Sequence, residues 1–236
     1  MIKQKILFVV FFTINLTILT AQESVNKYDN KGERHGYWTK DYHNTNQKRY
    51  EGKFNHGKEI DTFKFYTLSR GKSVLSAIKV FNAADSIADV TFFSSKKKII
   101  SKGKMNGKRF IGKWLYYHKS SESIMTEELY NDKGLLEGIR TVFYENGKVA
   151  EEAYFTNGKL NGEAKWYSKR NELLRVSNYK NDQLDGKTTN YNGVGDVVSE
   201  GLYAEDQKMG IWKYYTAGKL TKEIDHTKKK VISKKQ

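Results

Sequence analysis

Short aromatic-rich runs alternate along the chain with polar stretches that close on a small residue. The closing residues are Gly36, Asp61, Ala88, Gly112, Gly138, Gly162, Gly186 and Gly210, spaced by 25, 27, 24, 26, 24, 24 and 24 residues. After them come "YWTKDY", "TFKFY", "DVTFF", "KWLYY", "IRTVFY", "EAKWY", "KTTNY" and "IWKYY", and then a second turn and a second run, as in "ENGKVAEEAY". Self-similarity at a fixed period marks a repeat array. The runs are short, rich in Tyr, Trp, Phe, Thr and Val, and bounded by Asn-Gly or Asp-Gly, the pattern of antiparallel strands joined by tight turns. The third unit, "NAADSIA", is degenerate.

Counting from the closing residue, Trp38, Phe63, Trp114 and Trp212 fall at the second position. Phe65, Phe92, Tyr116, Trp166 and Tyr214 fall at the fourth. Side chains alternate along a strand, so these two sets share one face, and all four tryptophans lie on it. A further aromatic row, Tyr66, Phe93, Tyr117, Tyr144, Tyr167, Tyr191 and Tyr215, points the other way. One row is expected to be core and the other partly open. An open row of aromatics about 10 Å apart, with lysines nearby, suits a peptide, a glycan or another protein, so these seven residues form the candidate binding row.

The expected fold is all-β: an elongated antiparallel β-meander of about eight hairpin repeats of ~24 residues. The repeat array occupies 22–227, with units starting near 28, 53, 81, 104, 130, 154, 179 and 202. Two strands per unit give about sixteen strands. The stretches "NGKRFIGKWLYY", "GLLEGIRTVFYENGKVAEEAYFTNGKLNGEAKWY" and "QKMGIWKYYTAGKLTKEI" resemble the MORN-repeat variant of many bacterial proteins. The resemblance covers nearly all of 28–226, and the second and third units depart from it. Proteins similar to this are often labelled antitoxins, which implies a protein-binding, antitoxin-like or immunity-like role.

The N-terminus changes the picture of where the chain works. Lys3 and Lys5 precede the apolar stretch from Ile6, which ends in "ILTAQES", so 1–21 reads as a signal peptide cleaved after Ala21. The expected location is periplasmic or extracellular, with no membrane span after signal removal. The formal charge is +15. Part of it sits in "KKKVISKKQ", so 228–236 is expected to be a basic disordered tail. A basic balance favours an acidic partner, an anionic lipid or a cell-wall polymer. No nucleic-acid reader motif is present, so nucleic acid is not an expected partner.

Candidate chemistry is sparse. There is no cysteine, which removes thiolate nucleophiles and thiolate metal sites. The histidines, His35, His43, His56, His118 and His226, lack zinc-pair spacing and read as exposed turn residues. Glu127-Glu128 and Glu151-Glu152 are neighbours on strands, so each pair points to opposite faces. "DGKTT" lacks the first glycine of a phosphate loop, where Asn181 stands, and Gly158-Lys159 reads as a corner between hairpins. No catalytic, cofactor-binding or metal residues are therefore expected, and the chain reads as a non-catalytic protein-binding or scaffolding module. The alternatives are an electrostatic adaptor for anionic lipid or cell-surface polymer and, more remotely, an envelope-polymer hydrolase.

Overall fold

Each aromatic run falls on a β-strand, and no helix occurs among the residues described by the computed structural model, 24–82 and 85–234. The strands are β1 (Lys27–Tyr28), β2 (Arg34–Asp41), β3 (Lys48–Asn55), β4 (Lys58–Ser69), β5 (Lys72–Phe81) and β6 (Ile87–Phe93). They continue as β7 (Ile99–Asn106), β8 (Arg109–Tyr117), β9 (Ile124–Tyr130), β10 (Gly138–Phe143), β11 (Val149–Thr156) and β12 (Lys159–Tyr167). The last are β13 (Leu173–Lys180), β14 (Gln183–Tyr191), β15 (Val197–Ala204), β16 (Gln207–Thr216), β17 (Lys219–Asp225) and β18 (Lys230–Lys234). Each pairs antiparallel with the next in chain order, from β1–β2 to β17–β18, so the sheet is one open meander. The export-signal stretch 1–21 lies outside the described residues.

Two details correct the sequence reading at the termini. β1 and β18 add to the sixteen strands expected. The basic tail is not wholly irregular, because Lys230 to Lys234 pairs with β17 through Ile224↔Val231 and Asp225↔Lys230. Val231 and Ile232 give that segment β-branched residues that favour a pleated surface.

The turns use backbone chemistry that the sequence announces. Asn157 (φ 50°) and Gly158 (φ 81°) both take positive φ, as do His56-Gly57, Arg70-Gly71, Asn181-Asp182, Glu205-Asp206 and Ala217-Gly218. Two successive positive φ angles give the hairpin twist that matches the flanking strands. Gly158 thus completes the two-residue turn inside the β11–β12 hairpin and Lys159 opens β12 opposite Thr156, rather than the pair forming a corner between hairpins.

The closing residues of the period lie inside strands and act as bulges. Register jumps from Glu51↔Lys64 to Lys53↔Ile60, so Gly52 alone faces Asp61, Thr62 and Phe63. The same jump recurs opposite Gly103, Tyr154, Asn178 and Gly201. The three-residue side of each jump contains Asp61 (φ 56°), Gly112 (φ 62°), Gly162 (φ 136°), Gly186 (φ 109°) or Gly210 (φ 61°), angles that L side chains resist. Ala88 takes no such angle, and β5–β6 runs in unbroken register, so the degenerate third unit is a plain hairpin strand.

Strands make their extensive contacts only with chain neighbours, so among the described residues no second layer covers the sheet. The core is built within the layer, by aromatic rings lying on backbone. A Cβ added to Gly52 would meet the Phe63 ring at 2.5 Å, and one on Gly103 would meet Trp114 at 2.5 Å. One on Gly201 would meet Trp212 at 2.3 Å. Phe63, Trp114 and Trp212 are accordingly fully buried. Where the ring is absent the glycine is too: the equivalent partners are Ala153↔Ala164 and Ser177↔Thr188. The fourth-position aromatics pack beside the rings, with Phe63–Phe65 at 6.0 Å, Trp114–Tyr116 at 6.3 Å and Trp212–Tyr214 at 6.4 Å between centroids.

Candidate functional site: the open face of the sheet

With the tryptophan face as core, the other face carries the candidate row. Its residues fall at one register position, just after a slip that leaves one extra residue on the next strand. Tyr66 pairs Leu75, Phe93 pairs Ile99, and Tyr117 pairs Ile124. Tyr167 pairs Leu173, Tyr191 pairs Val197, and Tyr215 pairs Leu220. Each aromatic therefore packs against an aliphatic partner across the strands, and all six are half-buried. Tyr144 lies off the row. Phe143 holds the equivalent place, opposite Val149, because the slip falls between Val142 and Phe143. The Tyr144 hydroxyl instead donates to the Tyr167 carbonyl at 2.7 Å, as Tyr42 does to the Tyr66 carbonyl at 2.7 Å.

Three hydroxyls of the row are engaged by glutamates fifteen residues earlier. Tyr66 donates to Glu51 at 2.6 Å, Tyr167 to Glu152 at 3.0 Å and Tyr215 to Glu200 at 2.9 Å. These glutamates belong to a directly paired line that crosses the sheet, including Thr39↔Glu51, Glu51↔Lys64, Glu152↔Lys165 and Glu200↔Lys213. Ion pairs accompany it: Asp89–Lys104 at 3.0 Å, Glu127–Lys113 at 2.8 Å and Glu200–Lys187 at 2.8 Å. Glu51 is the most heavily engaged. Burial opposes its ionisation, but Lys48 and the hydroxyls of Tyr66 and Tyr37 outweigh burial and hold it down at about 2. Burial and the Glu51 charge push Tyr37 up to about 12 and raise Tyr66 as well. Glu200 is lowered by Lys187 and Tyr215.

Beyond this ladder runs a line that the sequence reading missed. Val80, Leu129, Ile139, Tyr154, Leu202 and Ile211 share the open face, two residues from the ladder on their strands, and all are exposed. Ile139, 59% exposed, pairs directly with Tyr154, 45% exposed, and Leu129 stands beside them on β9. A lone aliphatic residue in each short strand gave no signal of its own. The bulge before it, which sets its face, had no signature apart from the period.

The histidines are more engaged than turn residues need be. His118 is half-buried and its Nε2–H donates to the Phe143 carbonyl at 3.0 Å. His56 Nδ1 lies 2.6 Å from Asp29 Oδ2, and the His35 and His56 rings sit 4.7 Å apart. The ligand atoms of Asp29, Glu33 and His56 gather within 4.8 Å of one another. Asp29 Oδ1 already accepts the Lys31 and Glu33 backbone amides, which lower its pKa together with His56, so the cluster serves as a loop clasp. Glu127-Glu128 and Glu151-Glu152 divide between the faces as expected: Glu152 holds Tyr167, while Glu151 holds Arg140 beneath the other face.

No family model and no curated protein matches the chain. Among solved structures, one of a S. aureus TarM mutant in complex with fondaparinux, alpha-GlcNAc-glycerol and UDP aligns with 52% of this chain and 21% of that one. Its identity is 13% and its TM-score 0.32. The TcdB2-TccC3-TEV structure aligns with 84% of this chain and 14% of that chain, at 13% identity and a TM-score of 0.21. This chain thus spans 21% and 14% of the lengths of these two structures, and at such scores neither likeness carries a functional argument.

Proposed function

We propose that this chain is an exported, non-catalytic MORN-like repeat module that binds another protein on its open face. The observation that carries the reading is the exposed line Val80, Leu129, Ile139, Tyr154, Leu202 and Ile211 beside a neutralised charged ladder. Leu129, Ile139 and Tyr154 adjoin as one exposed apolar patch, with charged positions such as Asp89, Lys104, Glu163 and Lys187 on the same line to either side, and exposed apolar side chains rimmed by polar groups are the composition of a protein interface. The half-buried tyrosines beside them are rigid, and their hydroxyls are held by glutamates, so little ordering is needed on binding. Glu51, Glu152 and Glu200 are taken up by tyrosine and lysine partners, which supports a binding rather than an acid–base role. The N-terminal stretch 1–21 supports export to the periplasm or beyond. The resemblance to antitoxin-labelled repeat proteins makes a toxin-like effector the partner class to seek first.

The test is capture from envelope extract with residues 22–236 as bait, in ordinary and in high salt, beside a bait carrying Ile139→Glu and Tyr154→Glu. Both substitutions are at exposed positions, so the fold is retained and circular dichroism checks it. The reading expects one protein held in both salts by the first bait and lost by the second. Equal retention by the two baits would overturn it, as would lysine-dependent capture of polymer alone.

A further inference from the structure

The loop edge after the even-numbered strands carries a feature at the end of the aromatic row, where Tyr117 lines one hollow and Tyr144 another. Two adjoining hollows of about 350 and 480 Å³ meet at His118. Lys96, Lys98 and Lys119 line the first, and Lys169 and Glu145 the second, so lysines outnumber the single carboxylate four to one. None of these four ammonium groups has an ion-pair partner among the described residues. Ile99 and Ile100 form the floor of the first hollow, and Met125 and Phe143 that of the second. Ile100 and Met125 are the extra residues of the register slips, which turns them outward at 47% and 37% exposure.

The floor is braced in advance. His118 donates to the carbonyl of Phe143, Tyr144 to that of Tyr167 and Asn146 to that of Lys169, so successive loops are tied together by side chain-to-carbonyl bonds. A groove already held in shape costs less to order when a ligand enters.

We propose that this groove receives an extended acidic segment of a protein, with carboxylates on the lysines and aliphatic side chains on the floor. Charge complementarity selects the acid. Tyr117, Phe143 and Tyr144 also line the hollows, but the exposed side chains of Ile99, Ile100 and Met125 select apolar peptide side chains over the hydroxylated rings of an acidic polysaccharide, and the concavity selects a single chain over a bilayer surface. The loops 94–98, 118–123, 144–148 and 168–172 follow alternate strands, so the groove extends roughly 29 Å, the length of about nine extended residues. The groove shares none of its lining with the exposed patch Leu129, Ile139 and Tyr154, so its occupancy and binding at that patch are separately testable.

The experiment is fluorescence anisotropy of residues 22–236 with a labelled nonapeptide alternating Glu and Leu. An all-Glu nonapeptide and one alternating Lys and Leu are the controls, and polygalacturonate and phosphatidylglycerol vesicles the competitors. The Glu/Leu peptide is expected to bind at least about tenfold more tightly than either control. Lys96→Glu with Lys98→Glu is expected to weaken it by about tenfold and Ile100→Ser by about fivefold, while Ile139→Glu on the open face leaves it unchanged. Equal affinity for the all-Glu peptide, tighter binding of polygalacturonate or vesicles, indifference to the groove variants, or no binding of the Glu/Leu peptide would each overturn the proposal.

Discussion

Gly201→Ala tests whether the core is made by rings lying on backbone. The added methyl would stand 2.3 Å from Trp212 Cδ2 and 2.4 Å from Cε2. Carbon contacts are comfortable near 3.5–4.0 Å, so the indole must retreat by about 1 Å. Retreat also strains the Trp212 Nε1–H bond to the Leu202 carbonyl, now 3.0 Å. Overpacking of this kind costs about 1–3 kcal/mol and the loosened hydrogen bond about 1. Gly201 takes no positive φ, so alanine also restricts the unfolded chain, which returns about 0.4–1 kcal/mol. The net expectation is a loss of about 2–3 kcal/mol. Trp212→Ala removes the ring and is expected to cost about 3–5 kcal/mol. The double variant recreates the alanine pair that Ala153↔Ala164 already provides. It is expected to cost no more than Trp212→Ala alone, a coupling of about 2 kcal/mol. Urea unfolding followed by far-ultraviolet circular dichroism measures all three, since a lost tryptophan would distort fluorescence. Additivity within about 0.5 kcal/mol would refute the reasoning.

Two further outcomes follow from single sites. Glu51 is held at about 2 against an ordinary 4.5. Its stabilisation is therefore complete above pH 4.5 and is lost as pH falls towards 2. Solvent screening at Lys48 and Lys64 leaves about 1–2 kcal/mol of it. Glu51→Gln should flatten the stability–pH curve in that window, and an unchanged acid limb would contradict the assignment. Gly210→Ala meets no neighbour within 4 Å but must adopt φ +61°. It should cost about 1 kcal/mol or more by thermal unfolding, and a stabilising result would mean that the bulge relaxes without it.

The repeat, the strand class and the shared face of the tryptophans were legible because they depend on local chemistry. Asn-Gly pairs such as Asn157-Gly158 specify a hairpin turn by themselves, and alternation in "IWKYY" places Trp212 and Tyr214 on one side without knowledge of any other strand. What stayed hidden depends on pairs. Gly201 reads as a weak strand residue until Trp212, eleven positions on, is laid across it, and Ala153 with Ala164 shows that the two positions are solved jointly. The Tyr144 assignment failed for a different reason. Tyr144 stands six residues after Gly138, where the other row members stand five after their closing residues, and the expectation of an extra bulged residue moved the row onto it; strand pairing keeps the five-residue offset and gives the place to Phe143. The exposed line through Ile139 and Tyr154 was hidden twice over, since a single aliphatic residue has no period and its face is set by the bulge at Gly138. In a one-layer sheet the cross-strand pair carries both stability and surface. Residues that looked weakest in the linear pattern, the mid-strand glycines and solitary isoleucines, therefore fix the core and the candidate interface.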